Sequence, residues 1–481
     1  MRLAVVLRYI GIIMLLNAAF MLLSAGISLI NNTDSGFYPL MLSFVLTSIL
    51  GVFPLIFVRK NDRINMKEAY AIVVGAWLTA CIVGTFPYLL WGGEFSWPTA
   101  WFESVSGFTT TGSTALADVE ALPKGLLFWR SSTHWLGGVG VVMFVLVVLP
   151  TVGRTKMTLS SVELSPMAKE NYRYKTQKVI YILLSVYLGL TVLETICLKI
   201  AGMGWFDAIN HAFSTVSTGG FSTKNASIAY YNSLAIEIII MIFMLMSGLH
   251  FGLIFATLVG KRNNIFRNEV SRFYFATFLI SGLLITFSLW HAGMYGSFFE
   301  SLRYSLFQTA AIITTTGFAT ADTTLWTSLA IMLLLYLMFQ CACAGSTSGG
   351  IKSDRVWLAL KAIRLRILRQ QHPNAVIRIK MNGVPQDNSV INFAMFFIVI
   401  YIMIVCAGTI IVAATGEDLM TSFSLVATSM GNVGPGFGSI GSMDNYSEIS
   451  SFVKIFSTIF MLLGRLEIFG LLQLFLMKWW R

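Results

Sequence analysis

Thr109-Thr110-Thr111-Gly112 is a short polar string set in apolar sequence, and it has three counterparts: Val216-Ser217-Thr218-Gly219, Thr314-Thr315-Thr316-Gly317 and Gly431-Asn432-Val433-Gly434. The closing glycines follow one another at intervals of 107, 98 and 117 residues. Each string lies between two hydrophobic runs long enough to cross a bilayer. One such string is weak evidence. Four at near-regular spacing describe a repeated unit of span, polar hairpin and span, which is what a single chain needs to build four walls of a narrow ion pore.

A span needs about 20 apolar residues. Runs of that kind are predicted at 3–30, 37–58, 69–92, 125–150, 178–202, 231–260, 273–295, 324–345, 390–415 and 451–477. The first two stand outside the repeat, and the other eight pair around the four strings. Between the members of each pair lies a stretch too short to span, such as 101–108 or 298–313, which reads as a half-helix that enters and returns. Non-helical backbone at membrane depth is tolerated only where protein packs it or water reaches it. Four hairpins about one axis meet that condition together. The expected fold is therefore an all-α polytopic membrane protein, with four pseudo-repeats of span, pore hairpin and span around a central pore, plus two N-terminal spans. The boundaries follow: 1–62 for the extra helices, then repeats at 63–176, 177–270, 271–385 (with a broken inner helix) and 386–481.

Composition agrees with this reading. Hydrophobic residues make up 56% of the 481 and charged residues 11%, against about 25% charged in a soluble domain. The net charge of +11 is concentrated at Arg59, Lys60, Arg63 and Lys67, at Arg154, Lys156, Lys169, Arg173, Lys175 and Lys178, at Lys261, Arg262, Arg267 and Arg272, and from Lys352 to Lys380. Excess lysine and arginine marks cytoplasmic loops. With ten spans and both termini cytoplasmic, every cluster falls on one side. The basic balance reports orientation in the lipid bilayer, and no nucleic-acid partner is expected. The five cysteines sit in apolar surroundings without metal-ligand or CxxC spacing. No paired His/Asp/Glu cluster or Ser/His set occurs in the spans, so no enzyme and no bound cofactor is expected.

A dehydrated monovalent cation needs oxygens in place of its water shell, and backbone carbonyls facing one axis supply them. Glycine permits the backbone conformations that turn carbonyls inward. Threonine and serine add hydroxyls without charge. The candidate ion-binding residues are Thr110, Thr111 and Gly112, Ser217, Thr218 and Gly219, Thr315, Thr316 and Gly317, and Asn432, Val433 and Gly434, with K+ as the substrate ion. The fourth string lacks threonines, so the four walls are expected to be unequal. The plainer alternative is a set of Gly/Thr-rich turns that only close helix packing. Acidic residues Glu103, Asp207, Glu300 and Asp418 are expected near the starts of the half-helices, where a carboxylate favours the N-terminus. The opposite ends then carry partial negative charge toward the pore centre.

The span at 324–345 runs into Gly345-Ser346-Thr347-Ser348-Gly349-Gly350. Each glycine costs about 1 kcal/mol relative to alanine in a helix interior, so the helix breaks there, and a second helix is expected from Val356 to Gln370. Arg465 lies mid-span in 451–477. An arginine facing lipid there costs roughly 2.5–3.5 kcal/mol on insertion scales, so it faces the pore or a polar partner. Arg465 and Glu467 lie about 200° apart on a helix and do not pair with each other.

In combination, Ser106-Gly107-Phe108-Thr109-Thr110-Thr111-Gly112, the threonines before Gly317, Gly431-Asn432-Val433-Gly434-Pro435-Gly436, Ala344-Gly345-Ser346-Thr347-Ser348-Gly349-Gly350-Ile351-Lys352 and Gly464-Arg465-Leu466-Glu467-Ile468 resemble the Trk/Ktr/HKT superfamily of potassium transporters. The resemblance is strongest to membrane subunits of bacterial Trk potassium-uptake systems, and it covers nearly the whole chain. It implies that four glycines line a potassium-preferring filter. It implies that Gly345, Ser346, Thr347, Ser348, Gly349 and Gly350 form an intramembrane gate loop beneath it, with Arg465 in the adjoining cavity. It further implies a homodimer, a cytosolic nucleotide-binding regulatory subunit (TrkA-like) and residence in the bacterial inner membrane. Two other functions stay open on the residues: a secondary carrier of another solute, which would want inverted repeats and a charged midplane site, and a poorly selective K+/Na+ pathway.

Overall fold

In a computed structural model, four half-helices end just where the polar strings begin. They are Trp97–Phe108, Trp205–Val216, Phe298–Ile313 and Leu419–Gly431. The structure describes residues 2–31, 33–59, 66–140, 176–260, 264–372, 377–468 and 470–472. Local sequence explains the starts of the half-helices. Pro98 occupies the first turn of one, where a missing N–H costs nothing. Asp418 accepts from Met420 N and Thr421 N, and Ser297 accepts from Glu300 N while the Glu300 carboxylate accepts from Gly296 N. These are capping arrangements that satisfy orphan donors.

Each half-helix packs between a long helix before it and a shorter one after it. The long helices are Met66–Gly84, Thr176–Ile200, Glu269–His291 and Asn388–Ala413; the shorter ones are Lys124–Val139, Leu234–Ser247, Ser328–Gln340 and Ser451–Arg465. The shorter helix of each unit also packs on the half-helix of the next unit, and the fourth, Ser451–Arg465, packs on the first half-helix, Trp97–Phe108. The units therefore close in a ring. Helices Leu3–Ile30 and Phe37–Phe57 cross at a glycine pair, since a β-carbon on Gly11 would collide with Gly51 O. Both lie against the first unit. Large apolar side chains project outward from the long helices, among them Ile280, Phe287, Phe396 and Met403. Inside, the first two helices bury Asn17, Ser24, Ser43 and Thr47. Apolar outside and small polar inside is the arrangement a lipid solvent favours.

Among the described residues, six helices are long and apolar enough to cross a membrane, and the bent pair Leu234–Ser247 and Phe251–Leu258 makes a seventh. The ten uninterrupted spans expected from sequence need correction in the shorter helices. The run 231–260 turns by 104° between Ser247 and Phe251, where Gly248 O and the His250 side chain take non-helical partners. Ser328–Gln340 has 13 residues, about 20 Å of helix, against a hydrocarbon core of about 30 Å. The last helix stops at Arg465, with Glu467 and Ile468 both at φ 53°. The span expected at 69–92 is found as Tyr70–Trp91, with a one-residue interruption of the helix at Thr85. The second helix after the 345–350 run spans Ser353–Gln371, close to the expected extent. A two-stranded hairpin pairs Lys380–Met381 with Val384–Pro385. The basic residues at 60 and 63, 154–175, 261–262, 478 and 481 lie outside the described residues, as do 141–150 and 473–477 of two expected spans.

Candidate functional site: a ring of four turns with a loop beneath it

After each half-helix the chain makes the same turn. A left-handed residue comes first: Thr110 (φ 53°), Thr218 (φ 55°), Thr315 (φ 60°) and Asn432 (φ 53°). Two residues later comes a glycine at positive φ: Gly112 (80°), Gly220 (82°), Gly317 (74°) and Gly434 (102°). Non-glycine residues are uncommon at positive φ, and bulky β-branched ones are outliers there. Three threonines held so must be fixed by their surroundings.

The four glycines pack head to tail. A β-carbon on Gly112 would strike Gly219 O; on Gly220, Thr316 O; on Gly317, Val433 O; on Gly434, Thr111 O. Each glycine is thus pressed on the carbonyl just before the next glycine, and the fourth contact returns to the first turn. A cavity of about 180 Å³ opens on this ring, with Gly112, Gly220, Gly317 and Gly434 all in its lining.

The ring corrects one expectation. Gly219 does not hold the glycine position of the second turn; Gly220 does. Gly219 stands where Thr111, Thr316 and Val433 stand, and Ser217 caps the half-helix as Thr109 and Thr314 do. The other three glycines occupy the expected places. The fourth turn, despite its different residues, has the same backbone. Its difference lies in the side chain: Asn432 Nδ2 donates to Thr111 Oγ1 at 2.9 Å and to Met461 O at 3.0 Å.

Four half-helices end at the ring, so their C-terminal carbonyls bring partial negative charge to it. That favours a cation and disfavours an anion. Among the described residues no group of three or more His, Cys, Asp or Glu is placed to hold a metal ion. Any cation at the ring meets carbonyl and hydroxyl oxygens, which suit weak, exchangeable binding of a monovalent ion.

Of the four acidic residues, Asp207, Glu300 and Asp418 do sit at half-helix starts. Glu103 does not. It lies in the second half of Trp97–Phe108, fully buried, paired with the guanidinium of Arg130. Its carboxylate also accepts from Thr114 Oγ1 and Ala115 N, both at 3.1 Å. Removing one partner of such a pair costs about 3–5 kcal/mol because the other charge is left buried. Sequence reading missed Arg130. The signal was available: an arginine in an apolar run, one helical turn from His134.

The 345–350 loop lies against the ring on the side away from the cavity. Thr347 Oγ1 donates to Val216 O at 3.1 Å, the Thr218 hydroxyl meets it at 3.2 Å, and Gly349 N donates to Thr315 Oγ1 at 3.3 Å. Gly349 is in near contact with Gly431 O and Asn432. The loop thus touches the second, third and fourth turns. Its shape is held from behind: Cys343 N donates to Gly248 O at 3.0 Å, Phe251 N to Gly345 O at 3.3 Å, and Ala344 N to Asp354 Oδ2 at 2.5 Å. The bend in 231–260 therefore exists to receive this loop.

Arg465 donates from Nη1 to Thr347 O at 2.6 Å and from Nη2 to Gly137 O. It ties the loop to the helix of the first unit, with the Trp77 ring at 5.5 Å. Glu467 pairs instead with Arg355 at 2.6 Å and lies 3.9 Å from Lys352. Arg465 and Glu467 do not pair with each other, as expected, but the reason is the end of the helix at Arg465 and the left-handed Glu467 rather than rotation along a continuous helix.

The family described as TrkH, cation transport protein, matches residues 39–479. The "Trk system potassium uptake protein TrkH" of Halomonas elongata is 34% identical over 100% of both chains. The protein of the same name from Salmonella typhimurium is 33% identical over 98% of both. The crystal structure of the potassium transporter TrkH from Vibrio parahaemolyticus superposes with a TM-score of 0.89 at 30% identity, over 100% of both chains.

Proposed function

Because this chain belongs to the TrkH family of cation transport proteins, a family of transporters and not of enzymes, we propose that it moves K+ across the bacterial inner membrane through the ring of Gly112, Gly220, Gly317 and Gly434. The observation that carries the proposal is the closure of four like turns, each glycine pressed on the carbonyl before the next. Carbonyls at such a ring replace the hydration shell of the ion. The relatives' names support potassium as the cargo, and four glycines at the ring suit the larger ion.

In this reading the 345–350 loop is the gate. Its three contacts to the turns support a position across the ion's exit from the ring, and its serines, threonine and glycines let it move without breaking a helix. Arg465 latches the loop through Thr347 O and sets a positive charge beside the exit. K+ descends only when the latch and the loop shift together. The protein works as a homodimer of four-unit protomers, with both termini cytoplasmic. A cytosolic nucleotide-binding subunit acts on the loop through the basic helix Ser353–Gln371, whose Arg355 reaches Glu467 just beyond Arg465.

The test is flux in vesicles. The purified chain in liposomes is expected to take up rubidium or potassium, with potassium a far better competitor than sodium. A transported organic solute, or uptake indifferent to which alkali cation is supplied, sinks the proposal. The reversal potential with and without a proton gradient then separates a passive path from a coupled one.

A further inference from the structure

The first and second turns are joined differently from the other neighbours. Between the second and third, Ile228 N and Ala229 N both donate to Ala319 O at 3.1 Å. Between the third and fourth, Ser442 Oγ donates to Ala321 O at 2.9 Å. Between the fourth and first, Ser113 Oγ donates to Gly434 O at 2.9 Å and Tyr446 N to Thr114 O at 2.8 Å. None of these is an ion pair, and the Arg303–Glu237 pair that joins the second and third units is partly exposed, with Arg303 at 25%. Between the first and second turns stands the buried pair of Glu103 and Arg130, with Arg130 2% exposed and Glu103 0%.

The pair reaches both turns. Glu103 holds Thr114 Oγ1 and Ala115 N, two and three residues past Gly112. Arg130 Nη1 donates to Ser222 O at 3.2 Å, and its guanidinium lies 3.6 Å from the centre of the Phe221 ring. Phe221 follows Gly220 directly. One helical turn along from Arg130, the His134 ring stacks on the same phenyl ring at 3.9 Å and 15°. His134 Nδ1 also accepts from Phe221 N at 3.4 Å. Two side chains of one helix therefore hold the residue that leaves the second turn, and a carboxylate of the neighbouring half-helix holds both Arg130 and the chain that leaves the first.

We infer that Arg130 is a positioning residue for ion discrimination: braced by Glu103, it grips Phe221 and fixes the distance between the Gly112 and Gly220 walls of the ring. It touches no ion. Discrimination between K+ and Na+ depends on how firmly the coordinating oxygens keep their spacing and field. A wall free to move inward accommodates the smaller ion. The guanidinium suits this role as an ammonium does not. It is planar, lies flat on an aromatic face and donates in two directions at once.

The inference rests on the ring being the filter, and the experiment keeps the two apart. The full-length chain is reconstituted in liposomes, and the K+/Na+ permeability ratio is read from reversal potentials under opposed K+ and Na+ gradients. Three variants are compared: Arg130→Lys, Phe221→Leu and Gly220→Ser. Arg130→Lys keeps the charge opposite Glu103 and loses the flat contact. Phe221→Leu keeps the ion pair and loses the ring that is gripped. Each is expected to lower the ratio by about fivefold or more while K+ still passes. A merely structural role would reduce the amount of folded protein and leave the ratio of what remains unchanged. If Gly220→Ser lowers the ratio while Phe221→Leu and Arg130→Lys leave it as it was, the positioning role is overturned and the filter stands. If none of the three moves it, the filter reading falls and this inference with it. Should Arg130→Lys fail to fold, Phe221→Leu decides.

Discussion

The two faces of the ring are built on opposite plans. On the cavity side four strings, two reading Thr-Thr-Thr-Gly, one Val-Ser-Thr-Gly and one Gly-Asn-Val-Gly, take one backbone shape and meet in near-fourfold order. On the loop side nothing is repeated. One unit supplies the 345–350 segment, another the bend that receives it, a third Arg465, and the first the carbonyl of Gly137 that Arg465 also holds. In the proposed reading, selection of an ion rests on like walls, and a shared backbone conformation supplies them. In the same reading, control of passage rests on one movable part, and a fourfold copy of it would be redundant. Symmetry is therefore kept where carbonyls act and abandoned where side chains act.

The largest effect should come from breaking the symmetric face. Gly220→Ala forces a β-carbon onto Thr316 O at a backbone angle that costs about 1–3 kcal/mol in strain, and K+ uptake should fall more than about tenfold. Gly219→Ala presses on the His134 ring rather than on a carbonyl, at a position that needs no positive φ, and its flux should stay above that of Gly220→Ala. Equal loss in rubidium uptake by the two variants would contradict the assigned register. Next comes the asymmetric face. Arg465→Ala unlatches Thr347 O and removes a positive charge from the exit, and K+ flux should rise about fivefold, equivalent to about 1 kcal/mol. Unchanged flux in a folded variant would leave the loop without a latch.

A smaller change is expected at the one ring position where a side chain breaks the fourfold pattern. Asn432→Ala removes one donor from Thr111 Oγ1 and from Met461 O and should cost about 0.5–1.5 kcal/mol of stability, seen as a lower midpoint of thermal unfolding, with flux less affected than selectivity. Smallest of all is the effect at the cavity rim. Asn225 Nδ2 donates to Asp118 at 2.7 Å, and this bond holds the Asp118 carboxyl below its ordinary range. Its contribution is present above the unfolded-state value and is lost only as pH falls through the lower folded value. Mild acid should therefore leave the rim intact, and Asp118→Asn should change flux little at neutral pH. A steep acid response in the parent that vanishes in Asp118→Asn would give the rim a larger role.

The sequence carried the positions of the turns because threonine and glycine in apolar surroundings have few other uses. It carried the helix break at 345–350 for the same reason. The register of the second turn was not legible from Thr218-Gly219-Gly220 alone, because either glycine accepts a positive φ. Counting from the apolar residue before each string resolves it: Phe108, Val216, Ile313 and Met430 each precede the ring glycine by four. The bend at 248–250 was hidden by uniformly apolar flanks. Its cause is a contact nearly a hundred residues away in the chain, from Cys343 N to Gly248 O. Glu103 misled because an acid in a short helix ordinarily serves its N-terminus, and only tertiary packing reveals an arginine opposite.

The seam between the last unit and the first has a bearing on how the protein is made. Gly434 O is held by Ser113, Tyr446 N donates to Thr114 O at 2.8 Å, and Trp101 Nε1 reaches Thr458 Oγ1 at 3.0 Å. Partners so far apart along the chain meet late. While the ribosome is still extending the polypeptide, the first hairpin has no fourth neighbour and no conducting hole surrounds it. On the proposed ion path, a nascent chain can thus be threaded into an energised membrane without discharging it, and ions first find a way through when synthesis is all but over.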